Sequence, residues 1–143
     1  MRGSWLVVLG WATYVAFLLL PAVHAGDIDA NGAQALGGIL NIFFQSGVPN
    51  RPQFLGAVLF SHLLVMASPL ALFSRSWLRI CVAWLLLVGA GLQIYFAFWL
   101  KSQRMLDPGW FMGPVAFVVL SAALFIRGRR SRPVATTYGH QAV

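Results

Sequence analysis

Asp27, Asp29 and Asn31 alternate in the stretch "DIDANG", the spacing with which an EF-hand calcium loop opens. Such a loop adds further oxygen ligands and closes its cage with a bidentate Glu at its twelfth position. Counted from Asp27, that position is Gly38, and the chain contains no Glu at all. The same residues suit a turn followed by a helix, because Asn and Asp cap helix starts and Gly supplies the bend. No metal site is expected here. Asp27 and Asp29 instead offer negative charge to a partner protein.

The remaining chemistry-bearing residues are few. The third and last acidic residue is Asp107, and a single cysteine, Cys81, rules out an intrachain disulfide or a C-x-x-C redox pair. His24, His62 and His140 are far apart along the chain and are not expected to share a haem or a metal. No G-x-S-x-G, H-E-x-x-H or P-loop pattern occurs. The reading is of a protein without cofactor and without catalytic activity.

One polar set remains: Thr13, Tyr14, Ser61, His62 and Gln93 interrupt otherwise apolar runs. Polar groups in hydrocarbon find no water, so they turn inward and bond to one another. An ionisable residue at that depth is by default a functional candidate, and His62 is the sharpest. A neutral His62 bonded to Gln93 or to a backbone carbonyl is the favoured arrangement, since no second ionisable group accompanies it. A proton or ion relay is the alternative.

The elements that hold these residues follow from composition. Of 143 residues, 59% are hydrophobic and only 9% charged, against about 25% charged in a soluble domain. The partner implied first is the lipid bilayer. Apolar runs at about 5–25, 53–73, 77–100 and 109–126 approach or exceed the roughly 20 residues that a spanning helix needs. The fold expected is all-α, an integral membrane four-helix (tetraspan) bundle.

Basic residues orient it. Arg2, Arg75, Arg79, Arg127, Arg129, Arg130 and Arg132 fall at one end of the spans, whereas all three Asp residues fall at the other with Arg51, Lys101 and Arg104. The excess of Arg marks the cytoplasmic side of a cell (inner) membrane, with both termini inside. Trp5 and Trp77 are then expected at the inner interface and Trp99 and Trp110 at the outer, with Trp11 and Trp84 packing between helices. A competing reading of the first run is a signal peptide cut after "VHA". That would leave three spans.

Between the first two spans, Leu36, Ile39, Leu40, Phe43 and Phe44 form a helical stripe, which predicts a short outer interfacial helix at about 33–46, stopped by Gly47 and Pro49. The stretch 127–143 reads as a basic, mobile cytoplasmic tail whose arginines meet anionic headgroups. That flank, with Arg127, Arg129, Arg130 and Arg132, is where the basic character behind the net charge of +7 largely originates, and it needs no nucleic-acid partner. Gly109 and Gly113 form a G-x-x-x-G suited to helix packing.

Without catalytic groups, a charged path or a soluble domain, the function expected is non-catalytic binding of another membrane protein. The chain would be an accessory subunit or an immunity protein against a membrane-inserting toxin. Size and topology resemble the tetraspan immunity proteins of pore-forming colicins, a similarity of shape that no motif carries. The alternative is a small transporter or pore, built as a homo-oligomer, with Tyr14, His62 and Gln93 along its path.

Overall fold

The computed structural model describes residues 4–25, 27–45 and 54–130. Gly47, Pro49, the chain beyond Arg130, and Arg2, Arg51 and His140 lie outside the described residues. The protein is mostly helical, in the order α1 (Ser4–Leu19), β1 (Pro21–Ala25), β2 (Ile28–Asn31), α2 (Gly32–Phe44), α3 (Phe54–Leu72), α4 (Ser76–Ser102), a 3₁₀ turn (Pro108–Phe111) and α5 (Met112–Arg130). Among the described residues, α3, α4 and the 3₁₀ turn with α5 are long and apolar enough to cross a membrane.

The first apolar run corrects the expectation of one helix through Ala25. Helix α1 has 16 residues, about 24 Å of rise, and ends where Leu20 N–H bonds Ala16 O at 2.9 Å. Pro21 follows, and a residue before proline is pushed out of the helical region into extended backbone. The chain then runs as β1 and pairs antiparallel with β2, matching Val23 to Ala30 and His24 to Asp29, with an irregularity between Pro21 and Val23. This hairpin was not expected from the sequence, which is apolar without alternation up to Ala25.

"DIDANG" therefore forms a turn, a strand and then a helix. Asp27 sits in the hairpin turn and Asp29 in β2, while Asn31 caps α2. The cap is reciprocal: Gln34 N–H donates to Asn31 Oδ1 at 2.9 Å, and Asn31 N–H donates to Gln34 Oε1 at 3.0 Å. Helix α2 matches the helix expected at 33–46 closely. Of its stripe, Ile39 is buried against the bundle and Leu40, Phe43 and Phe44 remain exposed.

In the bundle, α5 packs between α1 and α4, α3 packs on α4, and α2 lies across α1 and α3 at the hairpin end. Close approach needs a missing side chain at Gly89 of α4, where a Cβ would stand 2.8 Å from Phe117 and 2.9 Å from Ser61. Of the G-x-x-x-G pair, Gly109 lies in the 3₁₀ turn that opens the third candidate span, and a Cβ there would run into the backbone carbonyl of Pro21. At Gly113 a Cβ would only make ordinary contact with Phe17, at 3.4 Å.

Charges segregate as the sequence suggests. Asp27, Asp29 and Asp107 gather at the hairpin end, and Arg75, Arg79, Arg127 and Arg129 at the other. There Arg79 gathers carbonyls, donating to Ser74 O at 3.0 Å from Nε and 2.7 Å from Nη2, and to Arg127 O at 3.4 Å from Nη1. Two tryptophans are corrected. Trp110 is 0% exposed, inside the bundle rather than at an interface, and Trp84 is 60% exposed rather than packed between helices.

Candidate functional site

Helices α1, α3 and α4 each bring one polar side chain to a common point in the core. The Tyr14 hydroxyl lies 3.0 Å from His62 Nδ1, and the Gln93 amide nitrogen lies 2.5 Å from His62 Nε2. A neutral imidazole fits both contacts: Gln93 N–H donates to Nε2, and the Nδ1–H faces the Tyr14 oxygen. Tyr14 and Gln93 are fully buried and His62 nearly so.

Aromatic rings close the space around His62. Phe17 stacks on the imidazole with centroids 5.4 Å apart and planes at 14°, and Phe117 meets it edge-on, also at 5.4 Å. Trp110 extends the cage, with its ring 5.5 Å from Phe17 and its indole N–H donating to Gln93 O at 3.2 Å. An imidazole held this way has both nitrogens occupied and both flanks covered. Its two bonds tie α3 to α1 and to α4.

The other two members of the expected polar set do not join. Thr13 Oγ1 donates to Leu9 O at 2.9 Å and Ser61 Oγ donates to Val58 O at 2.6 Å, each within its own helix. Short hydroxyl side chains reach the carbonyl one turn back more easily than a neighbouring helix. Ser61 is still useful as a small residue beneath Gly89. Phe17 and Phe117 were not singled out in advance and Trp110 was expected at an interface, because an aromatic residue in an apolar run carries no sign of what it faces.

A second cluster lies at the hairpin end. His24, opposite Asp29 in the ladder, has Nδ1 2.5 Å from Asp29 Oδ1, and both side chains are at least half exposed. Residues 105–107 lie along the other edge of β1, with His24 N–H donating to Met105 O at 2.9 Å and Asp107 N–H to Ala22 O at 3.1 Å. That edge pairing carries Asp107 into the same group, so the ligand-type atoms of His24, Asp29 and Asp107 all fall within 4.8 Å of one another. The hydrogen bond and charge of Asp29 hold the His24 imidazole above its ordinary pKa. Asp27 stands exposed in the adjoining turn.

The site expectations thus divide into three. Tyr14, His62 and Gln93 come together, Thr13 and Ser61 do not, and Asp29 turns towards His24 and Asp107. His24 and His62 stay apart, His62 in the core and His24 on the hairpin beside Asp29 and Asp107. No family model, curated protein or solved structure matches this chain.

Proposed function

We propose that this chain is a small polytopic membrane protein that acts without catalysis, by binding another membrane protein. As an accessory subunit or an immunity protein against a membrane-inserting toxin, it would sit in the cell (inner) membrane with both termini cytoplasmic and its hairpin outside.

The observation that supports this reading is the contrast between the two clusters. In the buried trio, Tyr14 and Gln93 engage both His62 nitrogens inside a ring of aromatic side chains, with Gln93 Oε1 left without a partner among the described residues, and the enclosed imidazole argues against an intramembrane path. The exposed acidic groups stand together on a hairpin that β1, β2 and residues 105–107 tie to one end of the bundle. A rigid, charged surface presented outside the bilayer suits recognition by a basic partner.

Affinity isolation from native membranes with mild detergent is the test, paired with flux measurements on the pure protein in liposomes. One stoichiometric membrane partner, lost in Asp27→Arg, and no flux are expected. A flux that His62→Ala abolishes would replace this function with that of an oligomeric transporter or pore.

A further inference from the structure

The structure assigns a divalent-cation site to His24, Asp29 and Asp107, a role beyond the partner binding proposed above and independent of it. The two strands of one hairpin supply His24 and Asp29, the distant α4–α5 connection supplies Asp107, and the hairpin ladder with its edge bridge to Leu106 holds them together.

Asp107 supplies the independent observation. It occupies the N-cap position of the 3₁₀ turn, yet its side chain makes no capping hydrogen bond. Its Oδ2 is shut away from solvent and, among the described residues, accepts no hydrogen bond at all. A carboxylate oxygen withdrawn from water without a donor is costly, and a cation at the cluster is a partner that would offset that cost. The neighbouring His24 and Asp29 are at least half exposed, which leaves an entry route from solvent.

The donor set selects the class of ion. Calcium and magnesium are hard cations that take oxygen ligands, so an imidazole nitrogen in the set argues against both. One imidazole nitrogen and two carboxylates suit a first-row divalent cation such as Zn²⁺, with water completing a tetrahedron. Bonds of about 2.0 Å put tetrahedral ligands about 3.3 Å apart. The present atoms lie within 4.8 Å, so side-chain movement of at most about 1.5 Å closes the set. The His24 and Asp29 atoms, 2.5 Å apart, would separate slightly to admit the ion.

Such an ion would pin β1, β2 and the α4–α5 connection, clamping the surface that carries Asp27. Asp27 is not a ligand, which keeps the two proposals separable: Asp27→Arg probes the partner and Asp107→Asn probes the cation.

The test is calorimetric titration of ZnCl₂ into the full-length, untagged chain in detergent, in a His140→Ala background, with X-ray absorption at the zinc edge. We expect one ion per chain, a coordination shell of nitrogen and oxygen only, and affinity lower by roughly tenfold or more in His24→Gln and in Asp107→Asn. Absence of heat beyond dilution overturns the site, as does unchanged affinity in either variant. Sulfur in the zinc shell would put the ion on Cys81 and overturn it equally. Because the edge spectrum is taken on the parent chain, a variant that fails to fold does not rescue the proposal.

Discussion

His62 carries the most contacts of consequence in the core, and its removal separates bonding from packing. Tyr14→Phe deletes one hydroxyl and leaves the ring, whereas His62→Ala also opens space between Phe17 and Phe117 and strands Gln93. The single His62→Ala change is expected to cost about 2–4 kcal/mol, a cavity plus an orphaned polar group. The coupling between the two sites should be smaller. Hydrogen bonds between membrane helices are worth about 0.6 kcal/mol on average and at most about 1.7, because the unfolded chain in lipid also finds partners. A double-mutant cycle on Tyr14→Phe and His62→Ala, read by unfolding in mixed micelles, measures it. A coupling of zero would mean that the Tyr14 hydroxyl contributes nothing through His62.

At the scale of elements, the connection from α4 to α5 decides how the hairpin is held. Helix α4 closes with Arg104 at φ 58°, in the left-handed region, and Met105 N–H then reaches back to Leu100 O at 3.0 Å. That turn aims residues 105–107 at the edge of β1. Left-handed backbone costs a non-glycine residue about 1–2 kcal/mol, partly offset by the greater freedom glycine has when unfolded. Arg104→Gly should therefore stabilise the protein by up to about 1 kcal/mol. Gly109→Ala should do the opposite, by about 1–3 kcal/mol, since its new Cβ meets backbone that cannot turn aside. Thermal unfolding in detergent checks both, and equal shifts in one direction would contradict this account of the connection.

Long apolar runs bounded by Arg75, Lys101 and Pro108 made α3, α4 and α5 legible, and Asn31 with Gln34 three residues later marked the start of α2. The hairpin was hidden because "PAVHA" continues an apolar run, and only Pro21 signals the break. Tyr14, His62 and Gln93 were legible by their roughly similar depth in the apolar runs, although α1 ends at Leu19 and not at Ala25. His24 and Asp107 were not. Their pairing depends on the edge contact between residues 105–107 and β1, a long-range match that no local spacing encodes.

For the whole molecule, the arrangement of charge makes a claim about sidedness that the fold alone does not. Acidic residues collect at the hairpin end with Lys101 and Arg104, and Arg75, Arg79, Arg127 and Arg129 at the other, where Arg79 engages backbone carbonyls and Arg127 the Ser4 hydroxyl. Helix α1 rises only about 24 Å, short of the roughly 30 Å of hydrocarbon, whereas the 27 residues of α4 rise about 40 Å. If α1 spans, it does so with local thinning of the bilayer or with β1 drawn towards the interface, each at a modest cost. The number of spans then fixes the sides: four put both ends of the described chain with the arginines, and three put them on opposite faces. In a Cys81→Ser background, Asp27→Cys should react with a membrane-impermeant maleimide in intact cells. Ser4→Cys and Arg129→Cys should both react only after permeabilisation. Labelling of Ser4→Cys in intact cells, with Arg129→Cys still protected, would leave α1 outside the count of spans. It would also place the α1 start on the same side as Asp27 and require α1 to leave its packing along α5.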